Sequence, residues 1–236
     1  MVKLMKLELR CNSMTSYIIA ALITTIIMVG FLYLFAAIPF LDDSEIDIEM
    51  FMTYDSIATL GCILSMVCFS LLSSVMYARF IVEEYVGKRA ILLLSYPVKR
   101  RDILWAKITV VSLFSVLSMI ISGVVSFAVF YSTEFFIPLC KDTLTIITII
   151  KTILVLFVYS LMAGTLATMS LWFGLWKKST PATIVSGIII VTVACNLLSV
   201  SLSNLFPAVF FLIASLIIAV VLVAGIARRV SMMEIE

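Results

Sequence analysis

Residues 17–38 read YIIAALITTIIMVGFLYLFAAI, twenty-two positions without a charged side chain. A helix rises about 1.5 Å per residue, so about 20 apolar residues carry it across the ~30 Å hydrocarbon core of a bilayer. The stretch is long enough to cross, and longer than the apolar core of a secretory signal, which runs to about 15 residues. Leu34–Ala37 makes only a weak cleavage site, so the stretch reads as a retained first span. Working outward, the expected spans are Tyr17–Ile38, Ser56–Tyr77, Ile108–Tyr131, Thr145–Phe173, Ala182–Leu202 and Ala208–Ala227. The apolar runs are continuous and show no period of two, which argues against strands. The fold class expected is an all-α membrane protein. It is a single transmembrane domain over residues 1–236 with six helices and an interfacial arm over residues 1–16. The fourth span is too long for a perpendicular crossing; it either tilts or begins as a short helix on the outer surface.

Composition says the same. The chain has 236 residues, 64% of them hydrophobic and 13% charged, where a soluble domain carries about 25% charged residues. The mean hydropathy is +1.25. A water-soluble globule of this size cannot bury so large an apolar share and still wet its surface. The chain contains no histidine, which removes His-based catalysis and His-rich metal sites.

The small net charge of +2 hides a strong asymmetry. Lys3, Lys6, Arg10, Arg79, Lys88, Arg89, Lys99, Arg100, Arg101, Lys107, Lys177, Lys178, Arg228 and Arg229 share one side of the predicted topology. Only Lys141 and Lys151 fall on the other. By the bias of Lys and Arg toward cytoplasmic loops, the crowded side is inside and both termini are cytoplasmic. The expected location is the plasma membrane, with membrane lipid as a partner and no nucleic acid.

The span centres carry no Asp or Glu. Proton- and sodium-coupled carriers need ionisable groups at depth, because something must exchange the ion. Asp55 stands at the outer edge of the second span, and Lys151 near the outer end of the fourth, where its stem can snorkel to the headgroups. The phosphate-loop pattern is absent. Its nearest approach, Gly174-Leu175-Trp176-Lys177-Lys178-Ser179-Thr180, lacks the second glycine and reads as a basic inside turn. Cys11, Cys62, Cys68, Cys140 and Cys195 are scattered, with no CxxC pair, and read as free thiols. No metal site is expected.

The most informative polar segment joins spans two and three. Glu83-Glu84 comes first, then Ile91-Leu92-Leu93-Leu94-Ser95-Tyr96-Pro97, then Lys99-Arg100-Arg101. Acid early and base late suits a helix macrodipole, and Pro97 ends such a helix. Asp102 then stands where it could cap the helix leading into span three. The residues alone leave two readings open: an interfacial helix with its leucines in the bilayer, or an element that docks into a groove on a soluble partner.

Glu83-Glu84, Gly87, Leu93-Leu94-Ser95-Tyr96-Pro97, Arg100, Ile103 and Lys107, leading into the third span, resemble the cytoplasmic loop of ABC-2-type transporter permeases. The six-span layout and the arm Met1–Arg10 are similar to the family over essentially the whole chain. Departures are visible too. The acidic pair is adjacent, Lys88 follows Gly87, and Leu198–Pro207 leaves room for about one turn where larger members place re-entrant helices.

The resemblance implies a non-enzymatic permease subunit of a bacterial ABC exporter. It implies separate cytoplasmic ATPase subunits that bind ATP and Mg²⁺, and a second permease copy, the same or a related chain. This chain itself would hold no cofactor. The ATPase-coupling residues would be Glu83, Glu84, Gly87, Leu92, Leu93, Leu94, Pro97 and Arg100, with the two glutamates paired to basic residues near the ATPase groove or in the N-terminal arm. The cargo expected is amphipathic or hydrophobic, such as a peptide or toxin. A channel or a secondary transporter working without an ATPase is the alternative, and an intramembrane enzyme is disfavoured.

Span three carries Ser112, Ser115, Ser118, Ser122 and Ser126, spaced to share one helix face. Small hydroxyl residues let helices approach closely; the same stripe could line a substrate path. Ser160, Gly164 and Thr168 repeat the theme in span four, as do Gly61 and Ser65 in span two. The first outer loop holds Asp42, Asp43, Glu45, Asp47, Glu49 and Asp55 with no basic residue. It reads as a solvated loop, with capture of a cationic peptide as the functional option.

Overall fold

The computed structural model describes residues 14–41, 53–86, 100–136, 145–199 and 205–232. Among the described residues, seven α-helices run in the order α1 (Thr15–Leu41), α2 (Tyr54–Tyr77), α3 (Glu83–Val86), α4 (Arg100–Phe136), α5 (Ile146–Lys177), α6 (Thr180–Leu198) and α7 (Leu205–Met232). A single π-helical turn, Ala78–Val82, joins α2 to α3. No strand occurs among the described residues. Six helices are long and apolar enough to cross a membrane. Their outer faces are hydrocarbon-like: Phe206 is 86% and Ile26 72% exposed. Patches of that extent on a soluble monomer would aggregate, and in a bilayer they are the solvated surface.

The six long helices alternate in direction, so α1 begins and α7 ends at the same end of the bundle. Arg79, Lys107, Lys177 and Lys178 mark this basic end. Tyr33, Tyr54, Asp55, Glu134 and Lys151 mark the far end. Backbone groups have no water to bond within hydrocarbon, so each span closes its own hydrogen bonds as a helix. α2 is the most buried of the six and α1 the least. One core, around Cys62, Met66, Phe69, Met119, Phe130, Tyr159 and Met162, fills the centre and far half. A second, around Tyr17, Tyr77, Ile81, Leu104 and Leu171, fills the basic end.

The six expected spans are all present, with shifted ends. The third was placed at Ile108–Tyr131; the helix runs over Arg100–Phe136, 37 residues or about 55 Å. Its polar ends escape a hydropathy reading because they are helical by continuation, not by apolarity. Asp102 therefore lies in the first turn of α4 rather than at its cap. The fourth span is one continuous 32-residue helix, not a surface helix followed by a crossing. The fifth was expected to reach Leu202; α6 ends at Leu198, and residues 200–204 lie outside the described residues. The arm over residues 1–13 and the acidic residues Asp42–Glu49 also lie outside them.

Close helix approach is built on small residues, at a place the serine stripe of span three did not reveal. Ser170 of α5 donates to Ser74 of α2 at 2.9 Å, and Ser186 of α6 donates to the Ser170 carbonyl at 3.3 Å. Where α5 turns into α6, a Cβ on Gly174 would stand 1.9 Å from Thr183 Oγ1. Only glycine admits that approach. Lys178 makes the turn itself in the left-handed region, φ 48 and ψ 43, with its N–H on the Gly174 carbonyl. The Gly174–Thr180 stretch is thus a helix-to-helix turn. A Cβ on Gly61 would meet Leu32 of α1 at 2.8 Å, and one on Gly164 would meet Val116 of α4 at 3.3 Å. Those two positions serve packing.

Candidate functional site

The basic end is organised by the join between α2 and α4. The apolar run of α2 continues through Phe80-Ile81-Val82, which are buried, so the helix does not stop at Tyr77. It widens for one turn instead: the Glu83 N–H bonds the Ala78 carbonyl, five residues back. Such π turns are rare and often sit at functional positions. The widening delivers Glu83 and Glu84 to the end of the bundle on a rigid extension of α2.

Lys107 enters from α4. It is 4% exposed, and its Nζ donates both to the Phe80 carbonyl at 3.1 Å and to Glu84 Oε2. A buried ammonium is tolerated only where its protons are taken up, and here a carbonyl of the π turn and a carboxylate take them. Tyr77 Oη donates to the Ile108 carbonyl at 3.3 Å, one residue further along α4. Tyr17 of α1 closes the other side, its ring meeting Phe80 edge-on at 5.3 Å. Glu83 itself is exposed.

The sequence reading singled out both glutamates but looked for their partners on an ATPase or in the N-terminal arm. The structure gives Glu84 a partner within the chain, Lys107, from the helix returning after the same connection. Gly87, Leu92, Leu93, Leu94 and Pro97 lie outside the described residues. Arg100 opens α4.

The serine stripe divides. Ser115 and Ser126 are buried toward the bundle, and their hydroxyls have no hydrogen-bond partner. Ser112 returns its hydroxyl to the Ile108 carbonyl at 2.8 Å. Ser118 and Ser122 line a cavity of about 380 Å³ between α1 and α4, with Ile18, Leu22, Thr25, Leu113 and Leu117. Thr25 donates to Ser122 at 2.9 Å at the upper limit of that cavity. One face of five serines therefore holds both packing and groove-lining positions.

The far end holds a residue that sequence reasoning missed. Glu134 is 3% exposed and accepts a hydrogen bond from Tyr54 Oη at 2.8 Å. It lies three residues beyond the expected end of span three. The signal was present: Phe127, Phe130 and Glu134, at spacings of three and four, continue one buried face. Asp55 and Lys151, read separately from the sequence, form an exposed ion pair at 2.9 Å. Cys62, Cys68 and Cys195 are free thiols, and no group of three or more potential metal ligands occurs among the described residues.

A family model described as an ABC-2 family transporter protein matches residues 7–196, most of the chain. The chain belongs to the ABC-2 transporter family. The uncharacterized protein YcbO of Bacillus subtilis (strain 168) is 25% identical over 188 residues, which cover 80% of this chain and 81% of that protein. No solved structure matches the chain. As an ABC-2 member it is a multi-pass membrane subunit of a transporter and not itself a catalyst, in a family that generally works with ABC ATPases. The Glu84–Lys107 lock stands at the head of the connection between α2 and α4.

Proposed function

We propose that this ABC-2 member is the permease of an exporter, moved by separate ATPase subunits that dock on residues 78–106. The observation that carries the reading is the buried Lys107, which ties Glu84 and the Phe80 carbonyl to the root of α4. A docking segment transmits force only if both of its stems are anchored in the bundle. Here the outgoing stem, α2 with its π turn, and the returning stem, α4, are joined to each other at the point where the connection leaves. Exposed Glu83 and the leucines Leu92–Leu94 offer the ATPase a charged and an apolar contact.

The basic end faces the cytoplasm in this reading, following the Lys and Arg bias. The cargo is amphipathic or hydrophobic, a class that suits the apolar cavity between α1 and α4 with Thr25, Ser118 and Ser122 as its few polar points. A second copy of the chain, or a related permease, completes the transport unit.

The test is co-reconstitution in vesicles with a separate ABC ATPase subunit. The expected result is ATP hydrolysis stimulated by the permease and lost on reversing the exposed Glu83 to Lys, which leaves the Glu84–Lys107 pair in place. Transport by the chain alone, with no ATPase present, would sink the reading.

A further inference from the structure

The far end of the bundle is sewn together by polar contacts between four different helices. Tyr33 of α1 bonds Thr133 of α4 at 2.6 Å. Tyr54 of α2 donates to Glu134 of α4 at 2.8 Å. Tyr131 of α4 bonds Thr152 of α5 at 2.8 Å. Lys151 of α5 donates to Asp55 of α2 at 2.9 Å. Beneath them lies a layer of rings: Tyr33 against Phe130 at 5.7 Å, Tyr54 against Tyr131 at 6.3 Å and Phe127 against Tyr131 at 6.1 Å. The same α1 and α4 part below the Thr25–Ser122 bond, where the cavity of about 380 Å³ separates them. The cavity therefore lies between two contacts of α1, the far-end polar contacts and the basic-end core that Tyr17 shares with Leu104 and Ile108.

We propose that these far-end contacts form a clasp that shuts the exit of the transport path, centred on the Tyr54–Glu134 bond, and that α2 and α4 work it as one riveted pair. The exit function rests on the exporter reading and its orientation. A carboxylate at 3% exposure is costly in a membrane protein unless its partners stay in place. A hydrogen-bonded acid closes the space only while its partners, Tyr54 among them, are in register. α2 and α4 are joined again at the other end through Glu84 and Lys107. Lys107 and Glu134 stand 27 positions apart on one unbroken helix, so the two rivets are about 40 Å apart. A displacement imposed near Glu84 reaches the clasp through rigid helices, and the cavity beside α4 leaves room for its basic half to move toward α1.

Cys62 is the reporter. It is wholly buried, about 12 Å below Tyr54 along α2. The full-length chain, with its other cysteines replaced by alanine, is placed in right-side-out vesicles. It is treated with a membrane-impermeant quaternary-ammonium methanethiosulfonate, and modification of Cys62 is followed by mass spectrometry. Tyr54→Phe deletes one oxygen and keeps the ring, so the bundle still folds. It should speed modification about tenfold or more, the weight of one hydrogen bond to a charged acceptor in the open–closed ratio. Glu134→Gln should do the same to a smaller degree. Adding Tyr33→Cys and Thr133→Cys and bridging the two thiols with a short bifunctional methanethiosulfonate, which spans the length of the lost Tyr33 ring, should return the rate to that of the parent, which general loosening would not permit. A Tyr54→Phe rate within about twofold of the parent overturns the proposal, as does a raised rate that the bridge leaves unchanged. No ATPase is needed, so the clasp can fail while ATPase stimulation through Glu84 stands, and the reverse.

Discussion

Lys107 and Glu84 lie 23 positions apart in the chain and meet in a partly buried ion pair at the root of the α2–α4 connection, where Lys107 also donates to the Phe80 carbonyl at 3.1 Å. The contact makes the two stems of the connection one mechanical unit. It also places one of the few buried charges of the described bundle at its basic end.

Removing one member of such a pair costs more than the pair contributes, because the other is left without a partner. Lys107→Met should destabilise the protein by about 2 kcal/mol, reduced from the fully buried case because Glu84 retains 20% exposure. Glu84→Gln should cost about 1 kcal/mol. In a thermal-unfolding cycle in detergent, the double variant should be less destabilised than the sum of the singles; strict additivity would show that the two do not interact.

The serines of α4 should separate by partner, not by position on the face. Ser115→Ala and Ser126→Ala remove buried hydroxyls that lack a hydrogen-bond partner, so each should be neutral or raise the melting temperature. Ser122→Ala breaks the bond from Thr25 and should cost about 0.6 kcal/mol. Equal losses at all three positions would contradict this division.

The α5–α6 turn offers a pair of opposite outcomes. Lys178 adopts φ 48 without being glycine, a conformation that costs an L-residue about 1 kcal/mol. Lys178→Gly should therefore raise stability by up to that amount, since the helices on either side already hold the turn. Gly174→Ala should lower it by about 1–3 kcal/mol through collision with Thr183. Differential scanning of the purified variants reads both signs.

Orientation is checked by single cysteines. A Lys178→Cys variant should react with an impermeant thiol reagent only in inside-out vesicles, and Lys151→Cys, half exposed beside Asp55, only in right-side-out ones. Reaction of Lys178→Cys from outside would invert the topology and remove the basis for ATPase docking at this end.

The span count was legible because the bilayer sets a length of about 20 apolar residues, and each of the six runs meets it. The acidic pair was legible as a motif. Its partner was not, since antiparallel α2 and α4 bring Lys107 to Glu84 only once they pack. Glu134 was passed over because hydropathy falls at Tyr131, although the buried face through Phe127 and Phe130 continues to it. The serines of α4 were legible as a stripe, but a face has two flanks, and which one meets α1 depends on how α4 is rotated in the bundle.

Composition and spacing by themselves determined that this chain crosses a membrane six times as helices. Hydrocarbon accepts no unpaired backbone, and each run carries enough apolar length to satisfy that demand locally. Only the tertiary structure decided which polar side chains are locks: Lys107 with Glu84 at one end, Tyr54 with Glu134 at the other. Those contacts join residues distant in the chain, and their energy depends on burial, which no single helix possesses until its neighbours surround it.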